Sequence, residues 1–218
     1  MALKYKGFNF VTCLLILLGT TLYAQERRKI EIKYAPFMTF DESKPDATIL
    51  TRDNSEQVHI KHEGIEMWCD EAVYDAKQDF IEAYGKVKIK QGDTINMTSN
   101  YVEYSGKTQL AFASGNVVLK DPTSVITTDT LYFDRVKQEA FYQNKGKVVR
   151  DTTGNITSTI GRYYMKTKKY QFVDNVNLVN PEYIIKSNRL DFYSISGYAF
   201  LYGPTTITSE TSVIYCER

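Results

Sequence analysis

Surplus charge is missing from this chain: 27 Lys and Arg stand against 26 Asp and Glu. Without a basic excess it lacks the electrostatic footprint that phosphate-backbone binding requires, so nucleic acid is not an expected partner. Three cysteines are too few for a disulfide-dense scaffold. Five prolines and 12 glycines exclude collagen-like and linker-dominated chains. Histidine is limited to His59 and His62, so a Ser-His-Asp or Cys-His device has to be built there. Three residues apart on a strand, those rings face opposite sides and share no metal. No Gly-rich phosphate loop occurs. Acidic residues such as Asp70-Glu71, or Glu26 and Glu31, are scattered rather than gathered on one face as glycoside hydrolysis requires. The expectation is a protein that is not an enzyme, with no catalytic residue, cofactor or metal.

What the chain does have is aromatic surface, 17 Tyr and 11 Phe, which weighs against disorder. Its 218 residues suit one elongated domain or at most two compact ones. Residues 1–24 read as a secretory signal peptide. Lys4 and Lys6 supply the positive start, Val11 to Leu18 the apolar run, and Ala24 the small residue before Gln25. Polar Asn9, Thr12, Thr20 and Thr21 leave this stretch short of the ~20 apolar residues that a spanning helix needs, so cleavage near Ala24 is favoured over an anchor. No other segment is apolar enough to span as a helix. The mature chain is expected to be exported, with a formal charge of one net negative once Lys4 and Lys6 are gone.

A repeat organises the rest. Cys69, Ser99, Thr128, Ser158, Ser187 and Cys216 follow one another at steps of 30, 29, 30, 29 and 29 residues. Two residues before each anchor stands an apolar residue: Met67, Met97, Ile126, Ile156, Ile185, Ile214. One residue after come Asp70, Asn100, Asp129, Thr159, Asn188 and Glu217, all polar. Three after come Ala72, Val102, Leu131, Gly161 and Leu190; five after come Tyr74, Tyr104, Phe133, Tyr163 and Phe192. The second half of the unit also recurs, as Gly85-Lys86-Val87, Gly115-Asn116-Val117 and, with a two-residue slip, Gly146-Lys147-Val148.

Period-two alternation in Ile95-Asn96-Met97-Thr98-Ser99 and Val87-Lys88-Ile89-Lys90 reads as strand. Residues 71–84 also fit an amphipathic helix, but the equivalent 101–114 contains Ser105-Gly106, so both are assigned to strands. Inward parity switches just after each anchor, which requires a bulge or bend, placed here at Asp70, Asn100, Asp129 and Asn188. Residues 25–64 form a less regular N-terminal cap unit, with strands at Ile30 to Ile32 and Val58 to Ile60 and a loop over 41–53. Residues 65–218 form the repeat domain; Val213 begins a sixth unit that stops, so either strands of an earlier unit close the end or the chain is a fragment of a longer one, the second being favoured.

Stacked two-strand units build an elongated all-β solenoid or jelly roll whose in-phase columns become interior rows. At ~4.8 Å per step Cys69 and Cys216 lie ~24 Å or more apart, too far for a disulfide. Lys86, Lys88 and Lys90, and later Lys145, Lys147 and Arg150, read as a solvated basic face. The alternative is a rim that meets phosphorylated head groups.

Gly115-Asn116-Val117, the recurring apolar-x-Ser/Thr/Cys-Asp/Asn step, and His62-Glu63-Gly64-Ile65-Glu66-Met67-Trp68-Cys69-Asp70-Glu71-Ala72 together resemble the OstA-like, or LptA, family of periplasmic lipopolysaccharide-transport proteins, in its longer Bacteroidetes-type form. Ser55-Glu56-Gln57-Val58 and Asp174-Asn175-Val176 depart from the Gly-Asn-Val pattern. The resemblance implies a twisted, open β-jelly roll in the periplasm that shields lipid A acyl chains on their way to the outer membrane. It implies a lipid groove lined by Met67, Met97, Val102, Tyr104, Ile126, Leu131, Phe133, Ile156, Ile185, Leu190 and Phe192. Its implied partners are lipopolysaccharide and homologous jelly-roll modules joined by edge strands, with head-to-tail self-association by the same route. The competing reading is a structural or adhesive β-solenoid with a filled core and no ligand.

Overall fold

The computed structural model describes residues 29–40, 45–150 and 154–217; the signal-peptide assignment over 1–24 lies outside them. Among the described residues there are 18 strands and no helix, hence no helix long and apolar enough to cross a membrane. Two short strands come first, β1 (Glu31–Tyr34) and β2 (Phe37–Phe40), joined through Ala35-Pro36. They are followed by β3 (Ala47–Thr51), β4 (Val58–His62), β5 (Ile65–Cys69) and β6 (Glu71–Asp75). Long strands β7 (Phe80–Gln91), β8 (Ile95–Ser105), β9 (Leu110–Lys120) and β10 (Val125–Asp134) come next. The next pair is interrupted, giving β11 (Glu139–Tyr142), β12 (Gly146–Arg150), β13 (Gly154–Ser158) and β14 (Ile160–Tyr164). Long strands resume with β15 (Lys169–Val179), β16 (Tyr183–Tyr193) and β17 (Tyr198–Ser209), and β18 (Val213–Cys216) is last.

Every ladder is antiparallel and the long strands pair in succession, the short ones pairing as halves of interrupted strands, so a 29- to 30-residue unit is one bent strand out and one back. The structure is thus a meander creased along its length, rather than a stack of parallel turns. The crease shows as a register shift in the middle of every long pair, for example between Tyr84 and Val87 and between Val173 and Val176. Halves on either side of it form two facing layers. One layer runs β1, β4, β5, then the halves of the long strands nearest Gln91, Lys120, Val179 and Ser209, ending on β18. The other runs β2, β3, β6, then the opposite halves, ending on Tyr198 to Tyr202 of β17. Hairpin turns make two rims, and the seam between the rims is the mouth of the fold.

The backbone at the crease differs from the expectation. None of Asp70, Asn100, Asp129 or Asn188 is left-handed; the positive φ angles lie on the neighbouring strand, at Gly85 (73°), Lys86 (45°), Gly115 (76°), Asn116 (53°) and Gly203 (77°). That strand carries the extra residue of the bulge, and its Gly lets the Asp or Asn side chain lie flat against the backbone. A Cβ added at Gly85 would sit 2.8 Å from Asp70 Oδ2, and at Gly115 2.9 Å from Asn100 Nδ2. The Asp/Asn column and the Gly column are therefore two sides of one contact. Where Gly is absent the turn survives: Asp174 (φ 60°) and Asn175 (φ 53°) take the same conformation opposite Thr159, to which Asn175 Nδ2 donates at 3.1 Å.

Further corrections concern the cap and the last strand. The loop expected over 41–53 contains β3, whose Leu50 is fully buried against β6; three apolar residues, Ala47, Ile49 and Leu50, among Thr side chains hid a strand that is edge-like in composition. In the Ser55 to Val58 departure, Arg52 and Gln57 donate to Asp70 Oδ1 at 2.9 and 3.1 Å, doing with side chains what Gly does elsewhere. Ile214 belongs to the inward column but is 52% exposed, because β18 has a neighbour on one side only. The residues over 71–84 are strand, in β6 and β7. Cys69 and Cys216 are both free thiols. They are separated by ten strand steps in the meander, on the order of 48 Å along the sheet.

Candidate functional site

The inward rows converge between the layers. Met67, Met97, Ile126, Ile156 and Ile185 are buried on one layer; Val102, Tyr104, Leu131, Leu190 and Phe192 are buried on the other, with Phe133 partly buried among them. These are all eleven residues expected to line the groove, and they share one continuous interior. That interior is not uniform along its length.

Towards the N-terminal end lies an apolar crevice walled by Ile65, Met67, Ile89, Ile95 and Met97 on one layer and Tyr104, Ala111, Leu131 and Phe133 on the other, with Leu119 and Gln91 completing it. Its empty volume is about 470 Å³. The space is a slot, and its walls are side chains with rotatable stems, two of them Met. Its seam is latched across the rims. Glu63, in the β4–β5 turn, accepts from Gln109 Nε2 at 2.7 Å and pairs with Arg135 Nη1 at 3.3 Å. Beside it, His62 Nδ1 and the Tyr104 hydroxyl are 2.7 Å apart. Burial raises the Tyr104 phenol above its ordinary value, although Arg135 pulls the other way.

Towards the C-terminal end aromatic rings fill the interior. Tyr163 and Tyr170 stack at 4.2 Å, and Phe172 and Phe192 follow at 6.2 and 6.3 Å from Tyr170. Tyr142 covers Gly146 and Gly161, where added Cβ atoms would lie 2.6 and 2.3 Å from its ring. This explains why Gly161 interrupts an otherwise apolar column: a large ring from the neighbouring strand takes the missing volume. The Tyr142 hydroxyl bonds Ser158 Oγ at 2.8 Å, and burial pushes its pKa up to about 12.

Sequence reasoning misplaced one residue here. Lys145 and Lys147 are exposed as expected, but Arg150 has the opposite parity from them and is buried, on the same face as Val148. Its guanidinium lies over Tyr170 and Phe192 of the facing layer, 5.2 and 5.4 Å from the ring centroids. The parity itself was the available signal. His59 and His62 point to opposite faces, His59 stacking on Trp68 at 4.7 Å outside and His62 buried inside.

The family model described as OstA-like protein matches residues 27–188. A search of curated proteins returns no match. Among solved structures, the chain is similar to the periplasmic LptA homologue LptH of Pseudomonas aeruginosa, described as a component of the conserved lipopolysaccharide transport device. Identity is 11%, with 71% of this chain and 94% of that one covered, and the TM-score is 0.28.

Proposed function

The chain belongs to the OstA-like family, and from that premise we propose that it is a periplasmic bridge protein that shelters lipid A acyl chains during lipopolysaccharide transport to the outer membrane. One observation carries the reading: eleven in-phase residues, predicted as a groove, all line the interior between two layers that meet at a seam. Each acyl CH₂ left in water costs ~0.8 kcal/mol, so a chain of about 14 carbons needs a covered path. Repeating rows of Met, Ile, Leu, Tyr and Phe offer similar shelter at each step, with no single deep trap. The crevice at Met67, Met97 and Leu131 is the entry volume, and it widens by rotation of its Met and Phe side chains.

Residues 1–24 direct export and are removed near Ala24, residues 25–64 serve as the cap, and the repeat domain carries the lipid. The fold's two ends present strand edges for homologous modules. Phe40 of β2 is 76% exposed at one end, and Tyr215 of β18 is 77% exposed at the other. Among the described residues β2 and β18 each pair on one side only, and such edges beside apolar side chains suit head-to-tail strand addition.

A second reading, a structural β-solenoid with a filled core, draws on the aromatic packing around Tyr170. In-cell photo-crosslinking separates the two. A photoreactive residue at Leu131 or Ile126 should yield a lipopolysaccharide adduct, and one at outward-facing Tyr132 should not. Absence of an adduct at both inward positions would leave the filled-core reading standing.

A further inference from the structure

We propose that the seam between the turn at 121–124 and the turn at 165–168 binds the phosphoryl group of an acidic lipid, with Arg150 as the inner anchor and Lys166 and Lys168 at the outer lip. This deepens the lipid-bridge reading and rests on it.

The observation behind it is an unpaired buried cation. Arg150 is 7% exposed, forms no ion pair with any described carboxylate, and its Nε has no hydrogen-bond partner. Its Nη1 reaches only hydroxyls, Tyr170 at 3.2 Å and Thr123 at 3.4 Å. A buried guanidinium without a counter-ion is costly, and even the less buried Arg162 and Arg135 have acids supplied, Glu139 and Glu63. The acid closest in sequence to these hydroxyls, Asp121, is already engaged: its Oδ1 accepts from Thr123 N, Thr123 Oγ1 and Ser124 N at 2.8, 3.1 and 2.7 Å. Although burial opposes it, these bonds keep the Asp121 pKa below its ordinary value. Arg150 is therefore linked to a carboxylate only through the Thr123 hydroxyl, and among the described residues no acid pairs with it directly.

The surroundings fit a phosphoryl group. Ser124 Oγ lies 3.0 Å from the Tyr170 hydroxyl beside the guanidinium. Tyr163 stacks on Tyr170 and accepts from Lys168 Nζ at 3.3 Å, which links the anchor to the lip. Lys166 and Lys168 are exposed and form no ion pair among the described residues, and they line a mouth cavity together with Asp121, Gln138 and Tyr163. Ile95 and Gln91 line both this mouth and the apolar crevice. An amphiphile with its tail in the crevice therefore brings its headgroup to the lysines. That continuity favours a lipid phosphate over a free one.

The test uses the purified mature chain and isothermal titration with three soluble probes: dioctanoyl phosphatidic acid, dioctanoylglycerol and inorganic phosphate. The acidic lipid should bind about tenfold or more tightly than the neutral one, as charge-assisted bonds provide. Arg150→Gln should bring that ratio close to one, and Lys166→Ala combined with Lys168→Ala should reduce it severalfold without altering thermal melting. If Arg150→Gln melts early, the lysine pair decides. A wild-type ratio near one, or a ratio unchanged in the folded variants, overturns the site while leaving the conduit intact. Inorganic phosphate binding as tightly as the lipid overturns the lipid source. Failure of both lipids to bind counts against the bridge reading itself.

Discussion

Replacing Gly115 by Ala tests the crease, the feature that turns a flat meander into two layers. Gly115 has φ 76°, a conformation that costs an L-residue about 1–2 kcal/mol. An added Cβ would also meet Asn100, with Nδ2 at 2.9 Å and Cβ at 3.0 Å. Asn100 is exposed, but its Cβ cannot swing away as its amide can, so relieving the contact shifts the backbone and adds about 1–3 kcal/mol. Gly92 is the control, since it has φ 57° and nothing within 4 Å of an added Cβ. Urea denaturation followed by far-UV circular dichroism should show Gly92→Ala losing about 1–2 kcal/mol and Gly115→Ala about 2–5. Adding Asn100→Gly to Gly115→Ala should recover the contact part and leave the backbone part. Equal losses at Gly92 and Gly115, or no recovery in the double variant, would refute the Gly-against-Asn account of the bend.

Four other outcomes follow from the packing and the buried charge. A thiol reagent should modify exposed Cys216 in the native protein while buried Cys69, whose thiol burial pushes up to about 12, reacts only after unfolding; equal native rates would contradict the layer order. Tyr142→Phe should cost about 1 kcal/mol by removing the bond to Ser158. Tyr142→Ala should cost about 3–5, because the space over Gly146 and Gly161 empties. Asp191 is buried, which by itself would raise its pKa, but Arg189, Lys169 and Gln171 hold it at about 2. Its folded value is depressed, so its stabilisation is present above the unfolded value near 4 and is lost as pH falls from there to about 2. Asp191→Asn should flatten acid unfolding in that window, and an unchanged profile would show that the triad contributes nothing.

The interior was legible because burial at Met97, Val102 and Tyr104 depends on local alternation, and the repeat showed that alternation several times over. The topology was less legible, since two antiparallel strands and one solenoid turn leave the same 29- to 30-residue period. The crease was located correctly but assigned to the wrong strand. Asp70 and Asn100 suit unusual backbone, yet the extra residue sits beside Gly85 and Gly115, where it is visible only through strand register. Ile214 illustrates a column whose chemistry is right and whose neighbour is missing on one side. Long-range contacts such as Glu63 with Arg135, or Arg150 with Tyr170, join residues 72 and 20 positions apart and leave no local pattern. Only the parity of Arg150 against Lys147 hinted that one basic residue turns inward.

The most direct measurement is an experimental structure of the mature chain bound to lipopolysaccharide, read for where the acyl chains lie and how far the layers move. Acyl density between Met97 and Leu131, with the two layers farther apart there than the slot now allows, is the predicted result. Acyl chains lying against an outer face, over an interior whose side chains have not moved, would contradict it.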